Sequence, residues 1–303
     1  MKKRTAFIIQ MVILSLSMAT TSDAAEQERS PDKMVKHSYL CSDIGAKRVF
    51  RISAAGEIEW EYPADQCTDA WLLETGNVLM SFTGEKRGVR EVTVDKKIAW
   101  EYTTDGEVWG CQRLPNGNTL VAECTAKRLV EVDRKGQIVK IVPVESGGNR
   151  HMGMRHARKL ADGNYLVALL DDKAVREYDS SGKMIREIKV PDVAFSVIRL
   201  DNGNTVIGYR GGVIEVDPKD KVLWHLTQKD VPDVKLYWIC CIQRLPNGNT
   251  VVGNWFIHKR HADDAPFFEV TPDKKVVWKV EMHERMFDPA SIQILDVKGH
   301  PLR

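Results

Sequence analysis

Short segments in which apolar and polar residues alternate follow one another along the chain from residue 38 onwards. In the sequence Leu114-Pro-Asn-Gly-Asn-Thr-Leu, for example, Asn-Gly stands between two such segments. Alternation with a period of two is typical of β-strands, and Asn-Gly or Asp-Gly between alternating segments is the strongest short signal for a β-hairpin. The pattern therefore predicts an all-β protein built from hairpins.

The hairpin sequence is repeated along the chain. Copies begin at six leucines that are 40 to 50 residues apart: Leu73, Leu114, Leu160, Leu200, Leu245 and Leu295. Each complete unit continues with a pattern such as Val130-Glu-Val-Asp, a polar turn and a fourth strand. Four strands at this spacing are typical of one propeller blade. The sequence predicts a six-bladed β-propeller of four-stranded antiparallel blades.

The predicted first blade is divided between the two ends of the chain. Ser38 to Tyr62 holds three strand patterns, and Ser291 to Leu295 holds a single first-strand pattern. We expect the C-terminal strand to complete the N-terminal blade, because closure removes open sheet edges. One position of the fourth strand holds tryptophans that we expect to pack between blades: Trp60, Trp100, Trp224 and Trp278. Lys140 and Arg186 replace tryptophan in two blades.

The N-terminal residues have the features of an export signal. Three basic residues precede 13 mostly apolar residues, Ala6 to Met18, and Ser22-Asp23-Ala24 offers a cleavage site. Thirteen residues are too few to span a bilayer. We therefore expect a signal peptide over 1–24, a flexible linker over 25–37 and the propeller over 38–303. The mature protein is expected to be periplasmic or secreted, with no membrane association.

The charge balance excludes some partners. The chain has 44 Lys and Arg residues against 42 Asp and Glu residues. A nearly neutral protein has no electrostatic basis for binding nucleic acid or an anionic membrane. We expect a monomer whose partner is a small polar or anionic molecule, with carbohydrate among the candidates.

The repeat units resemble those of a known group of propellers. The sequences Leu-Pro-Asn-Gly-Asn-Thr and Glu-Val-Asp-x-x-Gly-x-x-x-Trp are similar to repeats of bacterial quinoprotein-like propellers, the pyrroloquinoline-quinone-binding-like repeat proteins. The chain is more distantly similar to arylsulfotransferase propellers. Quinoprotein dehydrogenases have eight blades and a fuller tryptophan repeat, so the resemblance implies the fold rather than an activity.

Propeller geometry predicts which end carries a site. The Asn-Gly hairpins and the Asp-x-x-Gly turns share one rim, which we call the hairpin rim. The remaining connections lie at the opposite, loop-rich rim, and the long ones are Pro143 to Arg155, Leu226 to Ile239, Phe256 to Pro266 and Val280 to Ala290. Variable loops on a rigid scaffold usually carry binding groups.

Aligning the first strands on the repeat leucine predicts which side chains face the axis. Three residues before the leucine, every position is small or apolar, which favours packing between blades. Alternation then turns the positions two and four residues before it toward the central channel. These positions include Asp69, His156 and Arg158.

Two sets of candidate site residues follow. A catalytic set has His156 as general base or nucleophile, Arg155 and Arg158 holding negative charge, and Asp69 tuning the histidine. The expected ligand-binding set comprises His151, Trp109, Tyr237, Trp238, Cys241, Gln112, Gln243, His258 and His261. Arginine suits anions because its planar fork offers paired donors.

The six cysteines are expected to form disulfides in an oxidising compartment. Cys111 and Cys124, across one hairpin, are the pair predicted to close most easily, and Cys240 with Cys241 is a second possibility. No Cys-x-x-Cys spacing occurs, so we expect no structural metal.

Three functions remain open. The first is an exported propeller that binds a small anionic ligand or a partner at the loop-rich rim. The second is a hydrolase, lyase or sulfuryl transferase that acts on an anionic substrate. The third is a quinone-dependent dehydrogenase, which needs calcium beside its cofactor. We expect no cofactor.

Overall fold

The computed structural model describes residues 36–148, 151–256, 265–280 and 286–297. They form six sheets of four antiparallel strands, arranged as the blades of a β-propeller. The prediction of an all-β, six-bladed fold is confirmed. The described residues include no helix that could cross a membrane. The expected signal peptide, most of the expected linker, and His258 and His261 lie outside the described residues.

Strands are numbered in chain order and blades from the N-terminus. The strands of each blade are named in order from the axis outward. Blade 1 contains β24 (Pro289–Ile294), β1 (Tyr39–Asp43), β2 (Arg48–Ile52) and β3 (Ile58–Pro63). Blade 2 contains β4 (Ala70–Leu72), β5 (Val78–Thr83), β6 (Arg87–Val92) and β7 (Ile98–Thr104). Blade 3 contains β8 (Val108–Arg113), β9 (Thr119–Glu123), β10 (Arg128–Val132) and β11 (Ile138–Pro143).

The other three blades follow the same order. Blade 4 contains β12 (Met154–Lys159), β13 (Tyr165–Leu169), β14 (Ala174–Tyr178) and β15 (Met184–Lys189). Blade 5 contains β16 (Ala194–Arg199), β17 (Thr205–Tyr209), β18 (Gly212–Val216) and β19 (Val222–Thr227). Blade 6 contains β20 (Trp238–Arg244), β21 (Thr250–Trp255), β22 (Phe267–Val270) and β23 (Val276–Val280). The core lies largely between neighbouring blades, in clusters of buried apolar side chains.

The ring closes as predicted, through antiparallel pairing of β24 with β1. A second contact secures the closure. His37 Nε2 lies 2.7 Å from Glu269 of blade 6, and Nδ1 lies 3.0 Å from Asp296 after β24. His37 is buried, so the end of the expected flexible linker is part of the propeller's packing.

The hairpin rim repeats one arrangement in successive blades, which blade 5 illustrates. Gly203 in the Asn-Gly turn has φ +85°, a conformation that glycine adopts without steric cost. Asn204 donates its side-chain amide to Glu215 on the third strand, over 2.7 Å. Arg244 of blade 6 donates to the same carboxylate over 2.7 Å. The repeated glutamate thus joins its own hairpin to the next blade.

The same carboxylate clamp recurs around the ring with a different cation in some blades. The pairs are Glu91 with Arg113, Glu131 with Lys159, Glu177 with Arg199, Glu215 with Arg244, and Glu269 with His37. Since each glutamate is largely buried, pairing avoids the cost of an isolated buried charge.

The fourth-strand residues also join neighbouring blades. Trp60, Trp100 and Trp224 each donate the indole N–H to a backbone oxygen in the outer turn of the next blade, over 2.8 to 3.1 Å. Arg186 stands in the same column and donates to Asp217 O over 2.8 Å. The predicted packing role therefore includes a directed hydrogen bond, which explains why arginine can replace tryptophan.

Candidate site at the loop-rich rim

The innermost strands bring the predicted channel positions together, but most of these side chains are buried. The column three residues before the repeat leucine is buried, as predicted: Ala70, Cys111, Ala157, Val197, Ile242 and Ile292. Asp69, His156 and Arg158 are also buried, each 4% exposed or less. At this depth the axis is packed with side chains.

Asp69 and Arg158 form an ion pair inside the ring. Arg158 Nη1 donates to Asp69 Oδ2 over 3.0 Å, and the same oxygen accepts the Cys111 amide over 3.1 Å. The guanidinium of Arg158 also lies 4.9 Å from the ring centroid of Trp71. This pair joins three successive blades at their inner edges, and the charge of Arg158 is balanced by Asp69.

The two glutamines of the predicted ligand set connect blades. Gln112 Oε1 accepts the amide of Lys159 over 2.8 Å, which joins blades 3 and 4. Gln243 Oε1 accepts the amide of Ile294 over 2.9 Å, which joins blades 6 and 1. Each oxygen replaces a backbone acceptor that a continuous sheet would provide, so these amides brace the inner ring.

An aromatic cluster lies closer to the loop-rich rim. Trp109 of blade 3, Phe195 of blade 5, and Trp238 and Trp255 of blade 6 have ring centroids 5.7 to 6.4 Å apart in successive contacts. Blades 3 and 5 are not neighbours, so their contact places the cluster at the axis. Trp109 and Trp238 were predicted for this rim, whereas Phe195 was not.

A β-bulge explains why simple alternation missed part of this cluster. The register shifts near the start of the first strand in blades 3, 4, 5 and 6. An extra residue in one strand breaks the period of two and redirects the side chains beside it. The position five residues before the repeat leucine thereby contributes Trp109, Arg155 and Phe195 to one cluster.

Arg155 is the charged member of this cluster. Its guanidinium lies 3.8 Å from the Trp109 ring centroid and 5.4 Å from that of Phe195. Nη1 donates to the backbone oxygens of His151 over 2.5 Å and Met154 over 3.0 Å. Nε has no hydrogen-bond partner, and no carboxylate among the described residues pairs with the group.

The burial of Arg155 has an electrostatic cost. The residue is 2% exposed, and desolvation lowers the pKa of its guanidinium to about 10, although the charges of Glu107 and Asp171 act in the opposite direction. A buried cation without a bonded anion is unfavourable. The contrast with Arg158, which is bonded to Asp69, marks Arg155 as a group that an added anion would stabilise.

A histidine–carboxylate pair flanks the same indole. His151 Nδ1 lies 2.9 Å from Glu107 Oε2, which also accepts Trp109 Nε1 over 3.3 Å. The imidazole centroid lies 5.7 Å from that of Trp109, and the His151 side chain is 58% exposed. Glu107 was not predicted. The sequence signal that could have indicated Glu107 is its position in the loop before β8, two residues from Trp109.

The other predicted site residues lie apart from this pair. Tyr237 packs edge-on against Phe256 at 4.8 Å, and its amide is bonded to Asn254. Cys241 is buried. Its sulfur fills the space that a Cβ atom at position 253 would need, so this position requires Gly253.

The disulfide prediction for Cys111 and Cys124 is wrong in this structure, where none of the six cysteines forms a disulfide. The register of β8 and β9 pairs Cys111 with Val121, so Cys124 lies beyond the end of the ladder. Cys111 packs between blades 2 and 3, while Cys124 Sγ accepts the amide of Met154. Cys240 and Cys241 likewise form no disulfide.

No group of three or more His, Cys, Asp and Glu side chains in the described parts of the chain is arranged to hold a metal ion. A surface cavity of ≈ 600 Å³ lies off the axis, beside the turn at Glu85 and Lys86 and the end of β7. Its walls carry charges of both signs.

Neither a protein-family model nor a curated protein matches the chain. Among solved structures, a protein of unknown function from Bacteroides caccae has 26% sequence identity and a TM-score of 0.76, covering 85% of this chain and 98% of that one. A streptogramin B lyase has 11% identity and a TM-score of 0.60, over 82% and 80% of the two chains.

A further similar structure is a catalytically inactive virginiamycin B lyase from Staphylococcus aureus with quinupristin. It has 14% identity and a TM-score of 0.58, over 82% of this chain and 85% of that one. At such identities the two lyases share the propeller fold with this chain. The likeness to quinoprotein-like and arylsulfotransferase propellers stays a prediction, because none of these three structures is named as a member of either group.

Proposed function

We propose that this propeller binds a small anionic molecule at its loop-rich rim, next to Arg155. The observation that carries the proposal is the buried guanidinium, which is stacked on Trp109 and not bonded to a carboxylate of the described residues. A ligand carboxylate or sulfate would supply the missing anion through charge-assisted bonds. Since Arg155 bonds to the carbonyl of His151, the ligand reaches it by displacing that exposed turn.

The surrounding aromatic groups favour a ligand with a planar or sugar-like body. Trp109, Phe195, Trp238 and Trp255 provide a wall of rings beside the cation. Aromatic surfaces next to a few polar groups are typical of small-molecule sites. The partner class proposed here is therefore an acidic sugar or an aryl anion.

Calorimetric titration with sulfate, galacturonate oligomers and an aryl sulfate tests this proposal. Losing a hydrogen bond to a charged group costs about 1.5–3 kcal/mol, so Arg155→Met should weaken binding about 10-fold or more. Arg87→Met is a matched control, because Arg87 lies on the same rim but lines the off-axis cavity. Equal affinities of the wild type and Arg155→Met, or no binding of any anion, would contradict the proposal.

The alternative, an enzyme acting on an anionic substrate, is favoured by one specific observation. The sequence suggested His156 as its base, with Asp69 as the tuning carboxylate. At this rim a carboxylate does lie beside an exposed histidine, but the pair is Glu107 with His151. We propose His151 as the catalytic group of this alternative.

We also propose that the protein acts outside the cytoplasm. The support is the basic, apolar and small-residue order of residues 1–24. N-terminal sequencing of protein recovered from the periplasmic fraction or the medium tests this. A mature N-terminus near residue 25 is expected, whereas an intact Met1 in a cytoplasmic fraction would contradict it.

A further inference from the structure

We propose that Glu107 and His151 act as a general acid–base pair that eliminates a β-alkoxy group from a carboxylate substrate, such as a uronic-acid unit within an oligosaccharide. This inference rests on the proposed anion binding at Arg155 and deepens it by naming the reaction. It assigns His151 as the catalytic residue and Glu107 as a positioning residue.

The pair has the geometry that acid–base catalysis needs. The 2.9 Å contact between His151 Nδ1 and Glu107 Oε2 favours the tautomer with its proton on Nδ1, which makes Nε2 the basic nitrogen. Glu107 is itself held by the indole N–H of Trp109. An exposed imidazole whose carboxylate partner is fixed can meet a ligand in a defined orientation.

The position of Arg155 favours elimination over other acid–base reactions. Its guanidinium and the imidazole of His151 both contact Trp109, with centroid distances of 3.8 and 5.7 Å. Removing a proton from the carbon next to a carboxylate moves negative charge onto the carboxylate oxygens. A cation beside those oxygens stabilises that charge as it develops. The site therefore places a base and a carboxylate-binding cation next to one aromatic wall.

The proposed step is balanced by the substrate and the imidazole alone. His151 Nε2 accepts the proton of the α-carbon, and the electron pair of that C–H bond forms the new C=C bond. The β-carbon–oxygen bond breaks, and its electron pair leaves on the oxygen, which takes the proton from the imidazolium. The products are an α,β-unsaturated carboxylate and an alcohol. No oxidant, reductant or water is consumed.

Oligogalacturonates and oligoalginates are the probes for this step. The wild type should produce the ultraviolet absorbance of a conjugated unsaturated carboxylate. His151→Ala should lower kcat by about 10²–10⁴-fold, the usual contribution of a general base, with calorimetric affinity unchanged. Glu107→Gln should lower kcat less than His151→Ala does and leave KM unchanged, because the histidine stays in the site but loses the carboxylate that orients it.

His225→Gln is the control for loss of a histidine. His225 lies on the outer strand β19, where it bonds to Tyr209, and its loss should leave turnover unchanged. Cleavage without an unsaturated product would assign hydrolysis instead, and equal turnover in His151→Ala would remove the histidine from the reaction; either overturns the inference. Uronates that bind through Arg155 without reacting would refute the elimination alone. Absence of binding to every anion would refute the proposed function as well.

Discussion

The two rims of the propeller are built from the same repeats, but they differ in how their buried charged side chains are paired. At the hairpin rim, buried carboxylates such as Glu215 meet a side-chain amide of their own blade and a cation of the next. At the loop-rich rim, Arg155 is buried against Trp109 without a carboxylate of the described residues, and His151 extends into solvent. The comparison separates the parts that hold the ring together from the parts that are available to a ligand.

The largest expected effect concerns closure, which stabilises both rims. Truncation after Asp288 removes β24, and blade 1 then lacks its innermost strand. We expect the whole ring to lose stability, by about 5 kcal/mol or more, which is comparable to the total for many domains. Urea unfolding followed by tryptophan fluorescence measures it. Truncation after Val297, which keeps β24, is the control; similar unfolding midpoints for the two truncations would show that closure contributes little.

Two arginine substitutions test the charge comparison directly. Arg244→Met leaves the buried carboxylate of Glu215 without its cation, and breaking such a pair from one side costs about 3 kcal/mol. Arg155→Met leaves no carboxylate unpaired. It removes hydrogen bonds to two backbone oxygens, but it also removes the cost of burying a cation that has no bonded carboxylate, so we expect a net loss below about 1.5 kcal/mol. Urea midpoints at neutral pH measure both. A larger loss for Arg155→Met would make Arg155 a structural clamp.

The sequence predicted the parts that hold the ring together better than the parts that are available to a ligand. The Asn-Gly turns and the spacing of leucines predicted six blades, because turn conformation and strand alternation are local properties. The columns of the first strand correctly predicted that Cys111 and Ala157 are buried. Alternation failed where a bulge shifts the register, and this shift hid the contact between Arg155 and Phe195.

The histidine–carboxylate pair could not be predicted for a different reason. Glu107 and His151 come from different inter-blade connections, and no local pattern says which loops meet at the rim. Asp69 was correctly placed among the inner positions, but its ion pair with Arg158 was not predicted. Pairings of this kind depend on the three-dimensional arrangement of loops that the repeat does not specify.

The clamp that closes the ring should depend on pH. Burial lowers the pKa of His37, but the hydrogen bonds and charges of Glu269 and Asp296 outweigh burial, so the pKa is raised overall. A raised pKa in the folded state stabilises the fold below the unfolded pKa, near 6.5, and this contribution is lost as pH rises through the folded pKa.

His37→Gln isolates this contribution. The variant should be less stable than the wild type at about pH 5.5, and the gap should shrink by about 1 kcal/mol toward about pH 8.5. Urea midpoints across that range measure the gap. His225→Gln is the control, since burial lowers the pKa of His225 and its dependence should have the opposite sign. A constant gap for His37→Gln would show that the histidine does not change charge on folding.

The smallest expected effect tests the fourth-strand contacts, which lie at the outer edge of the ring. Trp224→Phe keeps an aromatic ring but removes the 2.8 Å hydrogen bond from Nε1 to Pro272 O. We expect a loss of about 0.5–1.5 kcal/mol, the usual net value of one hydrogen bond. Trp224→Arg should recover part of it, because Arg186 makes the corresponding bond between blades 4 and 5. If urea unfolding showed Trp224→Arg to be less stable than Trp224→Phe, the fourth-strand residues would stabilise the ring through packing alone.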